Sequence, residues 1–309
     1  MSERNNPFGH LFADWPGADL LSSEKTVPAF RKAVEAAHLI IENKSTDLTN
    51  DADTHLDVGE RQIKVRVYTP HHPDPTGPAL VYYHGGGFVF CSLETHDGVC
   101  RRLAAVSGTR VVSVDYRLAP EHPFPAPLDD ALDAFDAISQ GALSEFGVNG
   151  DELGVGGDSA GANLSAVVAQ ERRGKVSFQL LIYPLMQLAQ IKKPNPRWHD
   201  MPWVGAATVG QIARHYLQGH DPNDVRVSPL LADELTGLAP AYVLLSELDP
   251  LTDEGQAYAD RLAASGVAVE TRLHKGVPHG FLNATRILPQ AVPALEEAGK
   301  AVAKALRTD

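Results

Sequence analysis

The sequence predicts an α/β fold, in which a mostly parallel central sheet is flanked by helices on both faces and carries a helical cap. Three observations support this prediction. Short apolar runs of strand length (ALVYY at 79–83, FQLLIY at 178–183, AYVLLS at 241–246) alternate with stretches of helical periodicity. A serine stands between two glycines, GDSAG at 157–161, where the run ELGVG (152–156) passes into the helical NLSAVVAQER (163–172). Two segments, 1–50 and 185–219, lack the alternation altogether.

Taken in order, residues 1–50 hold Phe8, Leu11, Phe12, Trp15, Leu20 and Leu21, then a helical stretch at 27–42. Nothing there reads as a strand, so it forms an N-terminal helical arm of the cap that must pack on something else. Residues 51–184 and 220–309 carry the strand–helix alternation and make up the α/β domain. IKVRVY (63–68) alternates apolar and charged residues, which suits a half-exposed edge strand. In the Pro- and His-rich loop that follows, His71 and His72 read as solvated residues, since no Cys or acidic cluster accompanies them. The run 79–83 leads into His84-Gly85-Gly86-Gly87. A helix at 97–106, a strand at 109–114, a proline-punctuated loop at 115–127 and a helix at 128–139 come next. Pro184 stops the strand after the GDSAG helix. Residues 185–221 then lose the rhythm, with Trp198, Trp203 and a short helix near 209–217, and read as an insertion of which 185–219 is assigned to the cap. A helix at 253–265, an alternating strand at 267–273 and a helix near 292–306 close the chain.

At 309 residues with 43% hydrophobic and 21% charged content, the chain can bury a sizeable core. A net charge of -12 argues against nucleic acid or anionic membrane as partner. The polar start MSERNN carries no secretory pattern, and no apolar run reaches the ~18 residues of a membrane span. Cys91 and Cys100 are the two cysteines; neither has metal-type neighbours, and reduced thiols in a cytoplasm are the expected state. No metal or cofactor is implied.

The chemistry concentrates around GDSAG. A serine on a strand-to-helix turn this sharp projects its hydroxyl above the carboxyl end of a sheet, and flanking glycines are needed because side chains there would collide. Residues 84–87 follow an early strand, where a second set of oxyanion donors belongs. Their backbone amides, those of Gly86 and Gly87 with Gly85 close by, would join the amide of Ala160, each donor contributing roughly 2.7–4 kcal/mol to a transition state. An acid and then a histidine should follow the serine in the chain. Asp249 lies just past AYVLLS, whereas Asp253 and Glu254 fall at a helix start and have a capping role available. His274 sits in an alternating strand, whereas His279 lies in the Gly- and Pro-bracketed KGVPHGF. Loop position favours Asp249 and His279. His84, Phe88, Phe90, Trp203 and Tyr216 are candidates to line an apolar substrate site, and each could equally be core.

The motifs HGGG, GDSAG, DPLTDEG and HGF, with DYRLAPEHPFPAP between the first two, resemble the bacterial hormone-sensitive-lipase family of α/β-hydrolases (family IV). The likeness runs from about residue 63 to the C-terminus. It implies the α/β-hydrolase fold, Ser159 as nucleophile, Asp249 as orienting acid, His279 as base, an HGGG oxyanion hole and a cap built from the N-terminal helices and 185–219. It also implies a carboxylesterase acting on short- to medium-chain acyl esters, and a possible homodimer through an edge strand such as 267–273. Two departures stand out: Ala162 and Cys91 occupy positions where the family commonly has glycine. Both add bulk near the acyl or alcohol pocket. Hydrolysis of an amide, lactone or carbamate on the same site is the alternative chemistry, and a non-catalytic small-molecule receptor the alternative class.

Overall fold

The structure, a computed structural model, describes residues 20–43, 49–190 and 206–307. Helix α1 (Val27–Ile41) precedes a hairpin of β1 (Thr49–Val58) and β2 (Arg61–Pro70). The alternation follows in β3 (Gly77–Tyr83), α2 (Asp97–Ser107), β4 (Arg110–Val114), α3 (Ala126–Ser139), β5 (Val148–Asp158), α4 (Ala160–Glu171) and β6 (Val176–Ile182). Helix α5 (Ala206–Leu217) interrupts it before β7 (Ala241–Leu248), α6 (Thr252–Ala264), β8 (Val269–Pro278) and α7 (Ala291–Leu306).

The eight strands form one sheet in the order β1-β2-β4-β3-β5-β6-β7-β8. β1 and β2 run antiparallel to their neighbours and all other pairs are parallel. Alternate residues of the central strands feed opposite cores. Val81, Val155 and Leu164 pack on the side of α3 and α4, while Leu80, Tyr82 and Leu180 pack on the side of α2 and α7. A fully buried aliphatic chain of this kind contributes about 1.5–3 kcal/mol, so the double-faced core supplies the rigidity the site needs.

Two corrections to the sequence reading arise at the sheet's ends. The strand expected at the edge, 63–68, is the second strand in, with Val65, Val67 and Tyr68 buried. The edge belongs to β1, whose TNDADTHLDV alternates only weakly, with Leu56 as its one buried hydrophobic residue and Val58 half-buried beside it. At the other end, β8 runs on to Pro278, making His279 the first residue beyond a strand rather than part of a loop at 275–281.

The strand order reverses at β3, with β4 on one flank and β5 on the other. In open α/β sheets ligands bind outside the carboxyl ends of strands at such a point. Pairing of Tyr83 with Gly157 lets residues 84–87 and Ser159 leave adjacent strands at one level. Pairing of Leu248 with Pro278 does the same for Asp249 and His279.

Candidate active site

Ser159 adopts φ 54 and ψ -117 at the junction of β5 and α4, a backbone region L-residues rarely occupy. The neighbouring glycines make the turn possible. A Cβ on Gly161 would lie 1.8 Å from the Tyr83 carbonyl oxygen, and one on Gly157 would lie 2.4 Å from the same atom. The Ser159 carbonyl accepts the Leu185 amide at 3.1 Å, and Asn163 Nδ2 donates to the carbonyls of Leu185 and Val227, fixing the segment that follows β6.

His279 Nε2 lies 2.9 Å from Ser159 Oγ, and its Nδ1 lies 2.6 Å from Asp249 Oδ2. Asp249 is buried, and its second oxygen accepts the Leu251 amide at 2.8 Å. An ionised carboxylate can only accept, so Nδ1 carries the imidazole hydrogen and Nε2 is left to accept from the serine hydroxyl. The alternatives lie elsewhere. His274 is within β8, its ring 5.7 Å from that of Phe281 and its Nε2 3.7 Å from Glu297. Glu254 accepts the Met186 amide at 2.7 Å instead of capping its own helix.

Gly86 and Gly87 have φ of 109 and 60, and a Cβ on Gly86 would lie 2.1 Å from the Phe90 carbonyl oxygen. Neither amide, nor that of Ala160, is spent on an acceptor among the described residues, and Ala160 opens α4 beside the serine. Gly85 is a correction to the expected donor set. Its amide donates to Asp158 Oδ1 at 2.9 Å and is therefore committed to the protein. Asp158 also accepts from Tyr82 Oη at 2.8 Å and faces His96 Nε2 at 3.1 Å. Burial pushes its carboxyl up, but the His96 charge and hydrogen bond and the Tyr82 hydroxyl outweigh that and hold it below the usual range.

An apolar pocket opens beside the serine, lined among others by Phe30, Val34, Phe90, Cys91, Leu185 and Ile212. Of the expected lining residues, Phe90 is there, its ring edge-on to Phe30 with centroids 5.0 Å apart. His84, Phe88 and Tyr216 are fully buried beneath the wall instead. Phe88 stacks on Tyr216 at 3.9 Å and His84 on Tyr116 at 4.4 Å, so these rings support the turn and do not touch the pocket. Trp203 lies outside the described residues. The expected cap includes α1, but its lining side chains Phe30 and Val34, and His96, were not among the expected pocket residues; an amphipathic helix signals a buried face without saying what it faces.

Among the described residues no group of His, Cys, Asp and Glu could hold a metal ion, and no helix is long and apolar enough to cross a membrane. Cys91 and Cys100 are free thiols.

Comparison with known proteins agrees with this architecture. Residues 80–283 match a family model described as the alpha/beta hydrolase fold. The chain is 41% identical over 232 residues to the carboxylic ester hydrolase LipN of Mycobacterium tuberculosis, covering 72% of this chain and 61% of that protein. It is 35% identical to an ethyl acetate hydrolase of Pseudomonas putida, covering 84% of this chain and 85% of the relative. Among solved structures, an ester-hydrolase from the metagenome of Lake Arreo, in complex with a bipyridine phosphonate derivative, superimposes with a TM-score of 0.87. It shares 38% identity, over 96% of this chain and 94% of that one.

Proposed function

This chain belongs to the α/β-hydrolase family of carboxylic ester hydrolases, in its hormone-sensitive-lipase-like group, and we propose that it cleaves short- to medium-chain acyl esters through an acyl-enzyme on Ser159. The observation that carries the assignment is the continuous run Ser159 Oγ, His279 Nε2, His279 Nδ1, Asp249 Oδ2, with steps of 2.9 and 2.6 Å. His279 takes the serine proton as Oγ attacks the ester carbonyl. The tetrahedral oxyanion accepts from the amides of Gly86, Gly87 and Ala160, which need no reorganisation as charge develops. Asp249 keeps the imidazole in the competent tautomer and stabilises its protonated form. His279 then protonates the leaving alcohol, and water repeats the sequence to release the acid.

The apolar pocket supports an acyl or alcohol group of modest length, and helices α1 and α5 would form the described part of the cap over it, residues 1–19 and 191–205 of the expected cap lying outside the described residues. A homodimer is proposed through β8, the outer strand of the sheet, where Leu273 is half exposed. Two unpaired thiols favour a cytoplasmic location.

A series of p-nitrophenyl esters of increasing acyl length, hydrolysed by wild type and Ser159→Ala, tests the assignment. Turnover by wild type that is highest on the shorter chains and absent in the variant is the expected result. Labelling by a phosphonate ester should add one adduct, on Ser159. Undiminished turnover by Ser159→Ala, or binding of ester without any turnover by wild type, would overturn it.

A further inference from the structure

We propose that Arg31 is a positioning residue for the oxyanion turn, aiming the Gly87 amide through two intervening peptide planes while fastening helix α1 to the same turn. The inference rests on the ester-hydrolase reading above.

The connection is built from planar peptide units, in which turning a carbonyl turns the amide it shares a plane with. Gly87 N–H, a proposed oxyanion donor, shares its plane with the Gly86 carbonyl. That carbonyl accepts the amides of Val89 and Phe90, each at 3.0 Å. Each of those amides belongs to a plane whose other end is also held. The Phe88 carbonyl accepts the Ala119 amide at 2.9 Å, and the Val89 carbonyl accepts Arg31 Nε–H at 2.7 Å. Arg31 Nη2 donates to the Ala119 carbonyl at 2.8 Å, so one guanidinium closes the Val89 tie directly and also holds the residue whose amide makes the Phe88 tie, although that carbonyl lies in the next peptide plane.

Glu121 holds that guanidinium from the far side, accepting from Nη1 at 2.9 Å and Nη2 at 2.7 Å. A rigid fork with several donors is required here, and a lysine ammonium could satisfy only part of it. Arg31 itself does not line the pocket, but Phe30 and Val34 on the same helix do. The far end of α1 is tied as well, by the Arg286 amide to the Ile41 carbonyl at 2.9 Å and the Asn43 amide to Thr285 Oγ1 at 2.8 Å. Helix α1 is thus a fixed wall that meets the turn through the Phe30–Phe90 ring contact and, among the described residues, hydrogen-bonds to it through the Arg31 side chain.

The test compares wild type, Arg31→Ala, Arg31→Lys, Glu121→Gln and Ser159→Ala on p-nitrophenyl acetate, whose short acyl group keeps contact with the α1 wall small and leaves any loss of wall contact to show in KM. Active sites are counted by stoichiometric phosphonate labelling, so that kcat refers to folded enzyme only. Arg31→Ala should lower kcat about tenfold or more with KM changed less than about twofold, because the missing term is oxyanion stabilisation rather than substrate contact. Arg31→Lys and Glu121→Gln should fall between it and wild type, and they carry the test if Arg31→Ala does not fold. A kcat per labelled site within about twofold of wild type in all three variants would overturn the inference, as would a loss confined to the number of labelled sites. If wild type itself fails to hydrolyse the acetate, or Ser159→Ala hydrolyses it equally well, the ester-hydrolase reading fails and takes this inference with it.

Discussion

Asp158 Oδ1 accepts the Gly85 amide at 2.9 Å across adjacent strands, so the residue before Ser159 holds the first glycine of the turn that faces it. The same carboxylate gathers Tyr82 Oη and His96 Nε2 in a site closed to solvent. Asp158→Asn keeps an acceptor for Gly85 and Tyr82 but removes the charge opposite His96. Charged hydrogen bonds of this kind contribute about 1.5–3 kcal/mol each. The variant should lose about tenfold in kcat and melt measurably lower, as read by turnover per phosphonate-labelled site and by thermal denaturation. Wild-type values for both would show that the carboxylate is dispensable.

Asp249→Asn leaves the shape of the site nearly unchanged but offers His279 Nδ1 an amide that can donate as well as accept. The imidazole can then settle with its hydrogen on Nε2, where it cannot receive the Ser159 proton. Turnover should fall by about 10³–10⁴-fold while circular dichroism stays native, the pattern expected for loss of tautomer control. A loss below about tenfold would mean that the carboxylate does not orient the ring.

Cys91 adopts φ 71, and a Cβ on Gly86 would lie 3.0 Å from the Cys91 Cβ. A side chain in the left-handed region costs roughly 1–2 kcal/mol, and glycine loses roughly 0.5–1 kcal/mol to chain entropy. Cys91→Gly should therefore leave stability within about 1 kcal/mol of wild type. It should also open the pocket wall that the side chain lines. Space for about one further methylene corresponds to ~0.8 kcal/mol, so the ratio of kcat/KM for octanoate over acetate should rise about fourfold. An unchanged ratio would place the acyl group elsewhere.

The parts of the site legible in the sequence are those whose chemistry demands a particular residue type. Ser159 could be singled out because so sharp a turn excludes side chains at 157 and 161, Asp249 because it follows a strand end, and His279 because Gly and Pro bracket it, although β8 runs on to the residue before it. Gly85 was misassigned because HGGG contains three equivalent amides, and only the neighbouring Asp158 decides which one is already taken. Phe88 and Phe90 are two residues apart in a turn with left-handed backbone at Phe88, so alternation could not tell which ring faces the pocket. The edge strand β1 escaped notice because its inward face, Ala52, Thr54, Leu56 and Val58, carries a single fully buried hydrophobic residue, and the pairing with β2 supplies much of what fixes its place.

His84 gives the fold a pH dependence that the reaction does not use. Its ring is fully buried and stacked on Tyr116, with Nδ1 2.7 Å from the Gly85 carbonyl oxygen and Nε2 without a partner. Burial is the largest cause, with the charge of nearby His96 adding to it, and together they push the ring's pKa down from 6.5 to about 3. The unfolded chain therefore binds a proton at this residue in a range where the folded chain does not. The contribution that His84 makes to stability is present above about pH 6.5 and is lost as pH falls from there toward 3, at about 1.4 kcal/mol per unit. Carboxylates contribute their own acid dependence, so the comparison must be made between variants. His84→Gln should be less stable than wild type at neutral pH, but the gap should narrow by about 2 kcal/mol between pH 6.5 and 5 in denaturant titrations. A gap that stays constant over that range would mean that the folded protein protonates His84 as readily as the unfolded chain does.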